Sequence, residues 1–146
     1  GLWTQIHIES GWETALEAAL REKLNALEVG RIDTVRAFAG DAQALQLAEL
    51  LVAAGRDKNL TPWQRWFAYL PFEHSESLLQ QERSVALFLA LAREMQHEAF
   101  DGAHDYALRH RAVIERFGRF PHRNAILGRA STAEEIQFLE QPGSSF

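Results

Sequence analysis

Apolar residues recur at intervals of three and four along almost the whole chain, which is the spacing of one face of an α-helix. The pattern is clearest in one stretch where seven residues share a face: Ala103, Tyr106, Ala107, His110, Val113, Ile114 and Phe117. No segment of the sequence alternates apolar and polar residues over a strand-like length, and β-branched residues are scarce. The sequence therefore predicts an all-α fold. Because the connections are short, neighbouring helices are expected to form antiparallel hairpins.

Capping residues mark where these helices begin and end. Three segments have the capping-box pattern, in which a Ser or Thr and a Glu or Gln three residues later cap the same helix end; they begin at Ser10, Thr61 and Ser131. Asp41 is predicted to cap a second helix, and Pro71 to close the third. Together these signals predict helices over about 10–30, 41–55, 61–71, 75–96, 102–118 and 131–141.

Composition limits the class of protein. The chain has 146 residues, 47% hydrophobic and 24% charged, with no cysteine, which is typical of a single globular domain without disulfides or thiolate metal sites. The longest apolar run, Val85–Ala92, is far shorter than the roughly 20 residues of a membrane-spanning helix. The first residues lack a signal-peptide pattern. We expect one cytoplasmic, bacterial-type domain over 1–146, with no membrane partner and no cofactor.

Charge is distributed unevenly along the chain. The net charge is −5, but residues 109–129 carry +5 and the rest of the chain −10. The basic stretch contains one acid, Glu115, and six arginines: Arg109, Arg111, Arg116, Arg119, Arg123 and Arg129. Proteins that bind nucleic acid usually present a broad basic face, so we expect no nucleic-acid partner. One basic stretch in an acidic chain fits internal ion pairing or a small anionic ligand better.

The first candidate site segment is the loop Leu70–Glu76. Glu73, His74 and Glu76 precede a long helix, where carboxylates are favoured by the positive end of the helix dipole and Ser75 would be the N-cap. The alternative is that His74 acts as a general base or metal ligand oriented by a glutamate.

The second candidate segment is Arg116–Asn124, which leaves the fifth helix. Arg119 and Arg123 flank a Phe-Pro pair, and arginine binds carboxylate or phosphate through a planar fork of donors. One interpretation is that both arginines pair with Glu73 and Glu76 and lock the two loops together. The other is a pocket for an anionic ligand, in which His122 and Asn124 add directional hydrogen bonds.

Other polar residues are weaker candidates. His97, Asp101 and His104 have a spacing that could hold a metal on one helix face, but Asp101-Gly102 is predicted to interrupt that helix, so we predict no metal site. His110 lies on an apolar face and is predicted to be a core histidine bonded to a carbonyl or carboxylate. The aromatic residues of the third helix are predicted to pack in the core: Trp63, Trp66 and Phe67.

Several motifs in this order resemble a known family. They are Tyr69–Glu76, Gln81–Val85, Arg116–Asn124, Leu127–Arg129, Ser131-Thr132 and Glu134-Glu135. Together they are similar to the bacterial domain-of-unknown-function family 924, over residues 36–146. The resemblance implies an all-helical fold like that of the tetratricopeptide-repeat superfamily. It implies no reaction, because the family has no established one, and it favours both motif loops as parts of a site.

The chain departs from the family pattern at one place. Family members usually carry another apolar helix, a Gln-Phe-Pro-Arg-Asn motif and an Arg-Gly turn before the segment that matches Arg36–Ala39. Here Gly30–Asp33 runs directly into Thr34. The resemblance therefore implies that a helix is missing between Asp33 and Thr34. Since loss of a core helix would expose a large apolar patch, we expect an omitted segment rather than a real deletion.

The sequence leads to three hypotheses for function. The first is a ligand-binding domain for a small anion or acidic peptide end, with candidate residues Glu73, His74, Glu76, Arg119, His122, Arg123 and Asn124. The second is a hydrolase-type enzyme that uses His74 or His122 beside Glu73 or Glu76, with the arginines stabilising an oxyanion. The third is a protein-interaction scaffold without chemistry. The oligomeric state does not follow from the sequence.

Overall fold

A computed structural model describes the backbone of residues 31–144 and the side chains of residues 41–144. The predicted first helix, with its cap at Ser10, lies outside the described residues. The described part contains six α-helices: α1 (Arg31–Ala53), α2 (Pro62–Glu73), α3 (Leu78–Met95), α4 (Glu98–Phe117), α5 (Asn124–Leu127) and α6 (Ala133–Leu139). Short 3₁₀ turns cover Arg56–Asn59 and Pro121–Arg123. Residues 31–144 contain no strand, so the predicted all-α fold is confirmed.

The chain divides into two compact units, Gly1–Ala42 and Gln43–Phe146. Helix α1 is continuous across Asp33 and Thr34, the point at which the family pattern implies a missing helix. That missing helix, and the single domain over residues 1–146, stay predictions. No helix within residues 31–144 is long and apolar enough to cross a membrane.

The prediction that Asp41 caps the second helix is wrong, because Asp41 lies in the interior of α1. The preceding Gly40 does not end the helix; a glycine costs only about 1 kcal/mol relative to alanine in a helix interior. The far end is as predicted. Helix α1 stops at Ala53, and Gly55 adopts a left-handed conformation with φ 67°, which a glycine tolerates without steric cost.

Pro71 does not close α2, which continues to Glu73 with the proline inside its last turn. Proline lacks an N–H and therefore removes one helical hydrogen bond, but the His74 N–H still donates to the Leu70 carbonyl at 3.0 Å. The capping box between Thr61 and Gln64 at the other end is confirmed. As a result Glu73 is the last residue of a helix and His74 its C-cap, rather than parts of a loop.

Helix α4 begins at Glu98, four residues before the predicted start, so Asp101-Gly102 does not interrupt it. The His97 ring supplies the cap, since its Nδ1 accepts the Ala99 N–H at 3.1 Å. Gln96 has φ 49°, and this left-handed residue ends α3 and turns the chain into α4 within two residues. Gly118 ends α4 in the same conformation, as predicted.

Two other predicted caps are shifted along the sequence. Helix α3 begins at Leu78 with Ser77 as its N-cap residue, so Ser75 is not the cap; its hydroxyl accepts the Ser77 N–H instead. The last capping box joins Thr132 and Glu135, one residue later than predicted. This shift matters for the site, because it gives Glu135 a fixed position.

The main core lies between α2, α3 and α4. Its buried members are Tyr69, Phe88, Leu91, Ala92, Phe100, Ala103 and Ala107. A second cluster, Val113, Ile114 and Phe120, joins the end of α4 to the segment that follows it. Trp66 packs against the main core, but Trp63 and Phe67 are 53% and 49% exposed, so their predicted burial is wrong. Trp63 nevertheless stacks on Trp66 at 5.5 Å, and its ring lies 4.9 Å from the ring of the core residue Phe100.

Candidate functional site

Glu76 joins the two motif loops. Its carboxylate accepts two hydrogen bonds from the Arg129 guanidinium, at 2.7 and 2.9 Å, and a third from the Phe120 backbone N–H at 2.8 Å. Although partial burial opposes ionisation, these bonds hold the pKa of Glu76 below its usual range. Fork-to-fork pairs of this kind are strong and fix geometry as well. The loop after α2 is therefore fastened to the segment after α4.

Glu135 organises the second loop from the C-terminal side. The guanidinium of Arg119 donates to both of its oxygens, at 2.6 and 2.8 Å, and the Thr132 N–H donates at 2.7 Å. The Asn124 side-chain amide adds a fourth bond at 3.2 Å. The hydrogen bonds from Arg119 are the largest cause that lowers the pKa of Glu135, to about 2. Glu135 is buried, so these partners compensate a charge that would be costly alone.

The lowered pKa of Glu135 predicts a contribution to stability that acid removes. Its ordinary pKa is 4.5 and its folded pKa about 2, so the contribution is complete above pH 4.5 and is lost as the pH falls from 4.5 towards 2. We expect wild type to be more stable than Glu135→Gln at pH 7, with a difference that shrinks across this window. Urea unfolding at pH 7, 4, 3 and 2.5 measures it.

Glu134→Gln is the matched control for this prediction. Glu134 is the neighbouring residue, 61% exposed, and it pairs with Arg116 at the surface. Its replacement should change stability little at any of these pH values. A stability difference between wild type and Glu135→Gln that stays constant from pH 7 to pH 2.5 would contradict the assigned role of Glu135.

The basic stretch of the sequence is used mainly for internal ion pairs. The ion pairs join Arg109 to Asp105, Arg111 to Glu115, Arg116 to Glu134, Arg119 to Glu135 and Arg129 to Glu76. Arg123 donates to the His74 carbonyl at 3.0 Å and lies over the Phe120 ring at 4.6 Å. Internal pairing thus accounts for most of the +5 charge of this stretch.

A polar cluster lies beside these loop contacts, formed by Glu73, His74 and His110. Glu73 and His110 are buried, and the His74 side chain is 28% exposed. The Glu73 Oε1 atom lies 4.0 Å from His74 Nε2 and 3.9 Å from His110 Nδ1. Helix α2 supplies the first two residues at its C-terminal end, and α4 supplies the third. The cluster therefore depends on the packing of α2 against α4.

Burial sets the protonation of this cluster. It raises the pKa of Glu73 to about 7 and lowers the pKa of His110 to about 4, the latter opposed by the bond to the Tyr106 carbonyl. His110 is therefore neutral at neutral pH. Because its Nδ1 donates to the Tyr106 carbonyl at 2.9 Å, its Nε2 carries the lone pair. The prediction of a core histidine bonded to a carbonyl is confirmed.

Aromatic rings and a second pair of basic residues surround the cluster. The His110 ring lies 4.8 Å from the Tyr106 ring and 5.6 Å from the Phe120 ring. The His122 ring lies 5.6 Å from the Phe120 ring. Burial, and then the charge of Arg123, lower the pKa of His122. The second motif loop thus brings His122 and Arg123 towards the end of α2.

The structure brings the predicted site residues together in two groups. Glu73, His74, His122 and Arg123 lie at or beside the polar cluster, whereas Glu76, Arg119 and Asn124 belong to the hydrogen-bonded framework that joins the loops. The interpretation that Arg119 pairs with Glu73 or Glu76 is wrong, because Arg119 pairs with Glu135. Three residues were absent from the predicted site: His110, Arg129 and Glu135.

The fold and this cluster define an all-α protein with one polar site between a helix end and two loops. The chain belongs to the family described as bacterial protein of unknown function (DUF924), whose model matches residues 30–143. It is also similar to a solved structure of a protein of unknown function from Agrobacterium tumefaciens, with 31% identity and a TM-score of 0.62. That similarity covers 88% of this chain and 78% of the other.

Shorter similarities connect the chain to much larger proteins. It is 50% identical over 72 residues to the chromosome partition protein Smc of Burkholderia pseudomallei, and this match covers 44% of this chain. For Smc of Delftia acidovorans the identity is 64% over 52 residues, or 33% of this chain. The matches span 6% and 4% of those two proteins.

Proposed function

We propose that this domain binds a small anionic ligand where the two motif loops meet, beside His74, His122 and Arg123. The observation that carries the proposal is the contact between Arg123 and the His74 carbonyl at 3.0 Å, since it joins a guanidinium of one motif loop to an imidazole residue of the other. Carboxylate and phosphate groups are the anions that a guanidinium binds best, through paired hydrogen bonds.

The other arginines of the second loop fit a structural role better. Arg119 and Arg129 each donate two hydrogen bonds to a carboxylate that is itself held by a backbone N–H. A ligand that recruited either one would break a charge-assisted pair and leave Glu135 or Glu76 without its main partner. We therefore assign Arg119 and Arg129 to the hydrogen-bonded framework that joins the loops.

A thermal-shift series with inorganic phosphate, and with small phosphorylated and carboxylated metabolites, tests this proposal in buffer containing EDTA. A ligand at 100 times its dissociation constant adds about 2.7 kcal/mol of stability, which raises the unfolding temperature measurably. We expect at least one probe to raise it for wild type, and Arg123→Ala to abolish the shift. EDTA ensures that the result does not depend on a metal ion.

Arg109→Ala is the control for this series, because Arg109 is an exposed member of an i, i+4 pair with Asp105 on α4. It should keep the full ligand-induced shift. Arg119→Ala should lower the unfolding temperature with and without ligand, yet keep the shift. If no probe stabilises wild type, or if Arg123→Ala and Arg109→Ala respond alike, the proposed anion site is wrong.

A hydrolase-type enzyme is the second candidate, with His74 as general base and Glu73 as the group that orients it. Glu73 is the carboxylate beside His74, with Oε1 4.0 Å from Nε2, and this separation must shorten before the two groups form a hydrogen bond. The pair of His122 with Glu76 is disfavoured, since Glu76 is held by Arg129 and the Phe120 N–H. Turnover of a phosphorylated probe, rather than binding alone, would distinguish the enzyme from a binding domain.

The described residues do not test the remaining predictions. A cytoplasmic location, a tetratricopeptide-like superfamily relationship, an acidic peptide as alternative ligand and an interaction-scaffold role stay predictions, as do the absence of nucleic-acid and membrane partners. We propose no role in chromosome partition, because the chain matches only 4–6% of the length of the Smc proteins.

A further inference from the structure

We infer that Glu73, His74 and His110 form a binding site for a divalent transition-metal ion such as Zn²⁺. One carboxylate oxygen and one imidazole nitrogen from each histidine lie within 4.8 Å of one another, and they are brought together from α2 and α4. Imidazole nitrogen and carboxylate oxygen are ligands that zinc accepts, and three protein ligands with an open fourth position are typical of its catalytic sites.

The distances are close to what a metal ion needs. Zinc bonds of about 2.0–2.2 Å place two ligand atoms about 3.4 Å apart in a tetrahedral site. Glu73 Oε1 lies 4.0 Å from His74 Nε2, and one ligand atom of each of the three residues lies within 4.8 Å of the others. His74 is the more exposed of the two histidines, so a rotation of its side chain can shorten its separation from Glu73.

The Glu73 carboxylate is the strongest reason to place a cation here. It is 3% exposed and faces a nitrogen of each of the two imidazoles of the cluster. The two imidazoles are too far away for a hydrogen bond. Glu135, another buried carboxylate, is held by four donor contacts. An ionised carboxylate that is buried without compensation is costly, and metal coordination is one of the ways in which proteins compensate it.

The hydrogen bonds that hold the three ligand residues in place also fit a metal site. His110 donates from Nδ1 to the Tyr106 carbonyl at 2.9 Å, and metal-bound histidines usually donate their second ring N–H to a carbonyl or carboxylate, which leaves Nε2 as the ligand atom. The end of α2 is held by the Gln81 side-chain amide, which donates to the carbonyls of Glu73 and Ser75. His74 is held through its own carbonyl by Arg123. Each ligand therefore has a fixed backbone.

A metal ion here would also bear on the ligand. In this respect the inference rests on the proposed function: a cation held by Glu73 and His74 would add positive charge near the contact between Arg123 and the His74 carbonyl. Its open coordination position could then take an oxygen of the phosphate or carboxylate. Metal binding itself requires only the three side chains, so it does not depend on the anion proposal.

Titration of the purified, EDTA-stripped full chain with Co²⁺ tests the site, because Co²⁺ reports its coordination by visible absorption and Zn²⁺ then displaces it. We expect one equivalent to bind with bands typical of four or five ligands. His74→Ala should weaken binding at least about tenfold, since loss of second-shell groups alone costs that much. Glu73→Gln should weaken it similarly and keeps the size of the side chain. Far-UV circular dichroism verifies that each variant is folded.

His104→Ala is the matched control, because it removes a half-buried histidine that lies outside the cluster on α4, the helix that carries His110. It should bind Co²⁺ as wild type does. The inference is overturned if folded wild type shows no saturable absorption at one equivalent, or if His104→Ala loses as much affinity as His74→Ala. If Co²⁺ binds but no probe stabilises wild type in EDTA, the anion proposal alone is wrong. If a probe stabilises wild type in EDTA but Co²⁺ does not bind, the metal site alone is wrong.

Discussion

Replacement of Glu76 by alanine is expected to lower the free energy of unfolding by about 2–3 kcal/mol, the upper end for hydrogen bonds to a charged group. The variant loses both bonds from Arg129 and the one from the Phe120 N–H. Arg129, only a quarter exposed, then keeps its charge without its partner carboxylate. The Phe120 N–H loses its acceptor as well, and Phe120 itself is fully buried. Urea unfolding at pH 7 measures the change.

Glu115→Ala separates this effect from a general loss of negative charge. Glu115 is 60% exposed and pairs with Arg111 one helical turn away, at 3.6 Å. Such surface pairs contribute about 0.3–0.5 kcal/mol. Equal destabilisation by Glu76→Ala and Glu115→Ala would show that the contact between the loops does not stabilise the fold.

Replacement of Phe88 by alanine is expected to cost about 3–5 kcal/mol, the usual range for truncating a buried phenylalanine. Phe88 is fully buried on α3, and its ring meets the Tyr69 ring edge-on at 5.8 Å. The loss therefore includes the transfer of the ring from water, the cavity left behind and the aromatic contact. Chemical denaturation with two independent probes, fluorescence and circular dichroism, measures it.

Phe67→Ala is the matched control, since it removes the same side chain from a site that is 49% exposed. We expect a cost below about 1 kcal/mol there, because most of the cavity and transfer terms are absent. If both substitutions cost the same, the core does not lie between α2, α3 and α4 as described.

Helical periodicity was enough to predict the fold class, but not every helix boundary. Apolar residues at helical spacing run through α4, and Gly118 ends it where predicted. Pro71 and Gly102 were treated as helix breakers, and both lie inside helices. Each lies within about a turn of a helix end, where a residue of low helix propensity removes few hydrogen bonds. Packing of the rest of the helix outweighs the cost of that residue.

For the candidate site, the sequence indicated segments that the structure brings together, and it gave Arg119 the wrong partner. Glu73 and His74 could be found because they are adjacent and lie in a marked segment. His110 looked like an ordinary core residue, since its position on an apolar helix face does not indicate which polar side chains it contacts. Glu76 meets Arg129 across 53 positions. The partner of Arg129 is decided by tertiary packing between segments far apart in the chain, and local patterns do not contain that information.

The contact between Glu76 and Arg129 also constrains the order in which the chain folds. The 53 positions between its partners include the whole of α3 and α4, whose own connection takes two residues. Closing a long loop before that hairpin has formed costs entropy that a single ion pair cannot repay. We therefore expect the α3–α4 hairpin to form first and the motif loops to join in a late step. A ligand that needs both loops will bind only chains that have completed that step.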